Sequence, residues 1–148
     1  MIGFTWFFVS GAILFVSLVR VPRFHRFLGQ RLKPPQDFLR QITLQMTKQF
    51  GINKAPRIAV SRANISPVVW WSGGRPLIVI PKLAVDGLTV DHLKGIVAHE
   101  MAHVKRLDYY VRWLEWFAVL THWWNPILWF IRKEAPATEE IACETLMI

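Results

Sequence analysis

The stretch His99-Glu100-Met101-Ala102-His103 decides how this chain of 148 residues is interpreted. It has the form H-E-x-x-H, and on a helix the positions i and i+4 lie one above the other on the same face. Two imidazoles placed in this way can bind one zinc ion, and the glutamate beside them can act as base on a zinc-bound water. The motif predicts a zinc metalloprotease in which His99 and His103 bind Zn2+ and Glu100 is the catalytic base.

The residues around the motif favour a helix. Thr89 is a suitable N-cap, Asp91 suits the first turn, and Lys105 suits the carboxyl end. Apolar side chains recur at helical spacing along the same segment, at Leu93, Ile96, Val97, Val104 and Leu107. The alternative is an amphipathic helix in which both histidines are ordinary hydrogen-bonded side chains.

The amino-terminal segment has the composition of a membrane anchor. Residues 1–19 carry no charged side chain, and a basic group follows them, made of Arg20, Arg23, Arg26, Arg31 and Lys33. About 20 apolar residues cross a bilayer as a helix, and a basic flank stays in the cytoplasm. Neither the basic start nor the small-residue cleavage site of a signal peptide is present. We therefore expect a single N-terminal transmembrane anchor over residues 1–21, a basic juxtamembrane linker over 22–35, and a catalytic domain that faces the cytoplasm. The alternative is a buried core helix.

The rest of the chain, residues 36–148, predicts an α+β domain. Apolar spacing predicts a helix over residues 36–50 that stops at Gly51. Alternating and β-branched residues then predict three short strands, with a turn between the last two, at residues 57–61, 68–71 and 77–80. An open edge strand beside the metal site could hold an extended peptide through main-chain hydrogen bonds.

A catalytic zinc ion usually takes three protein ligands and one water, so a third ligand must lie outside the motif. The acidic candidates after the motif are Asp108, Glu115, Glu134, Glu139, Glu140 and Glu144. Asp108 would point to another face of a continuing helix, which suits a partner of the ligands better than a ligand. Glu140 and Glu144 are four residues apart on a predicted last helix. One of these two could bind the metal while the other orients a ligand histidine.

The segment 111–131 holds five of the eight tryptophans and is long enough to cross a membrane. A single crossing would place His99 and Glu140 on opposite sides of about 30 Å of hydrocarbon, where they could not share one zinc ion. Asn125-Pro126 interrupts the middle of the segment, and a proline ends or kinks a helix. We therefore predict a helical hairpin that dips into the membrane interface and returns, with packing in a soluble core as the alternative.

Four segments together resemble the BlaR/MecR-type integral-membrane metallopeptidases. They are the active-site helix, an aromatic Asn-Pro segment, a glutamate helix and the strand before the active-site helix, at residues 97–108, 122–129, 140–144 and 74–81. The resemblance extends over residues 40–144. The related HtpX/Ste24-type membrane proteases share the two zinc-ligand motifs but lack the aromatic Asn-Pro segment.

The resemblance implies a gluzincin fold with a small sheet, an H-E-x-x-H helix and a glutamate helix, in which Glu140 is the third zinc ligand. It implies that Glu100 also returns a proton to the leaving amine, and that Glu144 lies beside the ligands. Family members usually have aspartate at the position of Glu144. His122 is a further candidate, either as a donor to the transition-state oxyanion or as a partner in a structural hydrogen bond.

We therefore expect a membrane-anchored zinc endopeptidase that cleaves itself or a transcriptional repressor at the cytoplasmic face. Its expected partners are a protein or peptide substrate, membrane lipid and, because the chain stops soon after the glutamate helix, a membrane sensor subunit or another copy of itself. The alternative is a non-catalytic gluzincin-fold regulator or a component of a larger sensor assembly. The net charge of +8 does not predict direct nucleic-acid binding, because the basic residues cluster at the membrane flank rather than along a groove with interleaved aromatics.

Overall fold

The computed structural model describes residues 2–71 and 73–134, and this part of the chain has a mixed α+β architecture around a four-stranded sheet. The elements in chain order are α1 (Ile2–Arg31), β1 (Leu32–Lys33), α2 (Asp37–Gln49), β2 (Arg57–Ser61), β3 (Val68–Trp70), β4 (Leu77–Pro81), α3 (Lys82–Gly87), α4 (Val90–Arg106) and α5 (Asp108–His122). Residues 126–134 form a further helical stretch. The predicted α+β class, with a small sheet and an apolar N-terminal helix, is confirmed.

The sheet has the strand order β1-β2-β4-β3, with β2 and β4 parallel and the other two pairs antiparallel. The predicted hairpin between β3 and β4 is present, and Gly73 and Gly74 in its turn have φ angles of 91° and 87°. Positive φ is readily accessible to glycine, which has no Cβ to clash. In this strand order β3 is an edge strand of the sheet.

The core lies between the sheet and the helix pair α2 and α4. Residues of both helices pack against the inner strands in one cluster, which contains Leu39, Ile42, Val60, Ile78, Ile80, Val85, Val97, Met101 and Val104. The two isoleucines of β4 are fully buried because β4 is a central strand covered by these helices. Burial along α4 makes the helix that carries the H-E-x-x-H motif a rigid part of the core.

Helix α1 continues beyond the residues predicted as the anchor. It runs through Pro22 to Arg31, and β1 follows it and pairs with β2, so most of the predicted linker 22–35 has regular structure. The buried side chain of Leu28, which is 2% exposed, fixes this end of the helix against the rest of the protein. This packing explains why one proline, which removes a single backbone donor, does not end the helix.

Helices α1 and α5 pack side by side and run in opposite directions. The Nε1 of Trp116 donates to Ser17 Oγ at 2.9 Å, and the Nε1 of Trp6 donates to the carbonyl oxygen of Thr121 at 3.1 Å. The carboxyl end of α5 therefore lies beside the amino-terminal part of α1. In the described part of the chain, α1 is the one helix with the length and hydropathy to cross a membrane, from residue 3 to residue 31.

The segment 111–131 contains a helix, a turn and a helix. Helix α5 ends at His122, residues 123–125 form the turn, and the next helical stretch begins at Pro126, as Asn125-Pro126 predicted. Many large apolar side chains of the segment are exposed, including those of Leu114, Phe117, Ile127 and Phe130. Such exposure is unlike the core of a soluble domain, in which large apolar side chains are buried.

Candidate active site

Helix α4 holds the H-E-x-x-H motif in its second half. The predicted N-cap is confirmed, because the side chain of Thr89 accepts a hydrogen bond from the backbone N–H of His92. One face of α4 is buried in the core, and the other presents His99 and His103, both partly exposed. The fold therefore presents two imidazoles, one turn apart, from a helix whose position is set by the core.

The two imidazoles point their Nε2 atoms at each other, at a separation of 3.3 Å. Two nitrogen ligands of a tetrahedral zinc ion, each about 2.0–2.1 Å from the metal, are about 3.3–3.4 Å apart. The rings are almost perpendicular, with an interplanar angle of 83°. The side chains of His99 and His103 thus already have the separation that a shared zinc ion requires, and the donor set fits this metal.

Asp108 sets the orientation and the tautomer of His103. Its Oδ2 lies 2.7 Å from His103 Nδ1, and the carboxylate is buried. An ionised carboxylate only accepts hydrogen bonds, so Nδ1 carries the proton and Nε2 keeps its lone pair for a metal. The other oxygen, Oδ1, lies 3.5 Å from Nε of Arg106. The structure therefore places the Asp108 carboxylate beside the imidazole of His103, which is one of the two predicted metal ligands.

A helix break at Leu107 brings Asp108 to His103. Leu107 has φ 62° and ψ 33°, the left-handed conformation, which ends α4 and starts α5. The sequence was interpreted as one continuous helix in which Asp108 faces away from His103, and that geometry is wrong. A left-handed conformation at leucine costs about 1–2 kcal/mol. The fold maintains this conformation at Leu107. The break that it produces allows the carboxylate of Asp108 to reach the imidazole of His103.

Glu100 is buried on α4 beside the histidine pair, with a 6% exposed surface. Burial raises the pKa of its carboxyl because the charged form loses its hydration, while a positive charge on His103 acts in the opposite direction. A raised pKa brings a carboxylate closer to the range in which it accepts a proton from water and later returns it. These are the properties expected of a general base.

The structure does not bring His122 to this site. His122 is at the far end of α5, fourteen residues after Asp108, which is about 21 Å along a helix axis. Its Nδ1 lies 2.8 Å from Thr121 Oγ1, and its ring contacts Trp124. These contacts correspond to the structural role that the sequence left as the alternative.

The predicted third ligand Glu140 and its neighbour Glu144 lie outside the described residues. Within residues 2–71 and 73–134, no third His, Cys, Asp or Glu joins the histidine pair to form a group of three metal ligands. The described structure thus contains the two predicted nitrogen ligands, the predicted base and the carboxylate that contacts His103.

An aromatic cluster next to the site was not predicted. Trp71, which follows β3, contacts the rings of Tyr109, Tyr110 and Trp113 at the start of α5, with centroids 5.0–6.4 Å apart. A cavity of about 510 Å³ lies between these residues, β3 and α1. The sequence contained one signal for this cluster, which is the helical spacing that places Tyr109, Trp113 and Trp116 on one helix face.

Comparison with known proteins identifies the family of the chain. The model of the family described as BlaR1 peptidase M56 matches residues 1–148. The regulatory protein BlaR1 of Bacillus licheniformis is 33% identical over 70 residues, which are 47% of this chain and 12% of that protein. The chain therefore spans only a small part of the length of this relative. Because the family match extends over its whole length, the chain belongs to the BlaR1 peptidase M56 family.

Proposed function

We propose that the chain is a membrane-anchored zinc endopeptidase with a gluzincin-like site. The observation that carries the proposal is the 3.3 Å separation of the Nε2 atoms of His99 and His103, with the second ring held by Asp108. Membership of a peptidase family supports a hydrolytic role. The buried carboxylate of Asp108 leaves Nε2 of His103 available as an electron-pair donor. A histidine pair with only a structural role would not need this arrangement.

In the proposed site, His99 and His103 hold the zinc ion through Nε2, and Glu140 supplies the third ligand. When bound, the ion supplies the Lewis acid that activates water and polarises the peptide carbonyl. The Glu100 carboxylate takes the proton of the attacking water and gives it to the amine that leaves. Asp108 keeps the His103 ring in the productive tautomer, and Glu144 is proposed as a neighbour of the ligands.

We further propose that residues 1–21, which include the hydrophobic part of α1, span the membrane with the catalytic domain at the cytoplasmic face. Exposed phenylalanines along α1, such as Phe4 and Phe8, support contact with lipid, and the arginines from Arg20 onward support a cytoplasmic flank. Helix α5 runs antiparallel to α1 from Tyr109 to Thr121, about 18 Å, so we propose that the segment 111–131 enters the bilayer as a hairpin.

The substrate that we propose is a protein segment bound in extended form along β3, the edge strand of the sheet. The matched relative is called a regulatory protein, so we propose a regulatory cleavage, either of the chain itself or of a transcriptional repressor. Membrane lipid and a sensor subunit or second copy are the further partners of this proposal.

Metal analysis of the purified full chain, together with a self-cleavage assay, tests the proposed function. We expect about one zinc ion per chain in the wild type and in Glu100→Ala, but cleavage only in the wild type. His99→Ala and Glu140→Ala should lose both zinc and cleavage. Cleavage by Glu100→Ala at the wild-type rate would contradict the mechanism, and zinc without any cleavage of the chain or of a repressor would favour a non-catalytic regulator.

A further inference from the structure

The second half of α1 carries its arginines on the side that faces away from the rest of the protein. Residues 1–36 contain no aspartate or glutamate, and the exposed arginines of this half are Arg20, Arg23, Arg26 and Arg31. At about 100° per residue, these four positions and Phe27 lie within an arc of about 140° of the helix. On the other side, Val21 lines the cavity next to β3, and Leu28 is buried. We call the four arginines and Phe27 the basic face.

The positive charge of the basic face is not neutralised within the described part of the chain. Among residues 2–71 and 73–134, no arginine of this face forms an ion pair with a carboxylate. Arg31 instead stacks on Phe27, with its guanidinium carbon 4.3 Å from the ring centroid. Arginines three positions apart on a helix, as Arg20, Arg23 and Arg26 are, repel one another. An anion that contacts two of them relieves this repulsion, so the charge of the face suits an anionic partner.

The basic face begins where the uncharged run of residues 1–19 ends. Arg20, Arg23 and Arg26 extend over about 9 Å along the helix axis, which is close to the thickness of about 5–8 Å of one lipid headgroup layer. If α1 spans the membrane as proposed, these side chains lie at the level of the lipid phosphates. The ring of Phe27, which is 40% exposed, also suits this boundary, because helices at membrane interfaces combine basic and aromatic side chains.

The carboxyl end of the basic face is joined to the sheet. The backbone N–H of Arg62 donates to the carbonyl oxygen of Arg31 at 3.1 Å, and β1, which follows Arg31, pairs with β2. The exposed side chains of Lys33 and Arg62 add positive charge at this end. An anion bound to the basic face is therefore held in a defined position relative to the sheet.

We propose that the basic face binds the phosphate groups of anionic phospholipids. Guanidinium groups bind phosphate oxygens through pairs of hydrogen bonds, whereas the ammonium group of a zwitterionic lipid such as phosphatidylcholine is repelled by neighbouring arginines. A nucleic acid also carries phosphates, but Arg20 directly follows the apolar run, where a bilayer would obstruct a duplex. This inference rests on the proposed membrane span of α1 rather than on the proposed zinc chemistry, and it specifies the class of the lipid partner.

Native mass spectrometry tests the proposal with a readout that depends on neither zinc nor cleavage. The full chain is released from nanodiscs that contain equal amounts of phosphatidylglycerol and phosphatidylcholine, and the bound lipids are counted. The wild type should retain phosphatidylglycerol over phosphatidylcholine by about fivefold or more, because one arginine near an anionic membrane surface changes binding by about that factor. The double variant Arg23→Gln, Arg26→Gln should reduce this ratio to less than about twofold. The variant Arg23→Lys, Arg26→Lys keeps both charges and should retain at least half of the wild-type ratio.

Two cations of α2 provide a charge-matched control. Arg40 and Lys48 are exposed and lie outside the basic face. The double variant Arg40→Gln, Lys48→Gln removes the same positive charge from the chain and should keep the wild-type lipid ratio. The circular dichroism spectra of all three double variants should match that of the wild type, which shows that the fold is retained.

Each other result has a defined meaning. Equal retention of both lipids by the wild type, a ratio that Arg23→Gln, Arg26→Gln leaves unchanged, or an equal fall in the α2 control would overturn the inference and leave the proposed zinc endopeptidase standing. A DNA oligonucleotide retained by the wild type but not by Arg23→Gln, Arg26→Gln, with no preference among lipids, would assign the basic face to nucleic acid and overturn it. Extraction of the chain from membranes by alkaline carbonate would overturn the proposed membrane span and this inference together.

Discussion

Replacement of Asp108 by alanine removes the acceptor of the 2.7 Å hydrogen bond from His103 Nδ1. The imidazole then loses the contact that fixes its ring angle and its tautomer. Both effects reduce the availability of Nε2, which lies 3.3 Å from its counterpart on His99. We therefore expect Asp108→Ala to weaken zinc binding even though Asp108 does not itself touch the metal in the proposed site.

The expected loss of zinc affinity follows from the kind of hydrogen bond that is removed. Removal of a group that orients a metal ligand typically costs 10- to 100-fold in metal affinity. Because this carboxylate is buried and its bond is charge-assisted, we expect Asp108→Ala to lie near the 100-fold end. Asp108→Asn keeps a neutral acceptor at the same position, and a neutral hydrogen bond is about half as strong, so about a tenfold loss is expected.

Competition between the protein and a fluorescent zinc chelator measures these affinities. Asp91→Asn is the control, because Asp91 lies on the same helix but its side chain is 89% exposed and pairs with Lys94. It should bind zinc as the wild type does. An affinity of Asp108→Ala within twofold of the wild type, with the circular dichroism spectrum unchanged, would refute the role given to this carboxylate.

Three further predictions concern the framework. Leu107→Gly should retain wild-type zinc affinity, whereas the β-branched Leu107→Ile, which disfavours positive φ, should lower the thermal midpoint and weaken zinc binding. Met101→Ala, on the fully buried face of α4, should cost about 2–5 kcal/mol in urea unfolding, and a cost below 1 kcal/mol would contradict the described core. Cysteines introduced at positions 17 and 116 should be crosslinked in membranes by a short bifunctional reagent, and a cysteine pair at positions 17 and 127 is the control. Equal crosslinking of both pairs would contradict the packing of α5 on α1.

Local signals explain the elements that the sequence predicted. The helix of the H-E-x-x-H motif has its own apolar period and an N-cap at Thr89, and the structure confirms both. The β3–β4 hairpin has two glycines at positions with positive φ, which is a strong local preference. Helix geometry places positions i and i+4 on one face, so the four-residue spacing was sufficient to predict that His99 and His103 lie together. The contact between Asp108 and the His103 ring was not part of that prediction.

Features that depend on tertiary packing were not predicted. The two-residue strand β1 exists because it pairs with β2, and the parallel pairing of β2 with β4 requires a crossover that no local pattern indicates. Leucine has no preference for the left-handed conformation, so the break at Leu107 was not foreseen. The position of His122 far from the predicted zinc ligands His99 and His103 follows from that break and from the direction of α5 along α1.

X-ray absorption at the zinc edge of the purified wild-type chain tests the central claim most directly, because it identifies the ligand atoms themselves. The account predicts about one zinc ion per chain with two imidazole nitrogens and oxygen ligands at about 2.0–2.2 Å, and loss of the imidazole signal in His103→Ala. A sulfur ligand at about 2.3 Å, or an unchanged spectrum in His103→Ala, would contradict it.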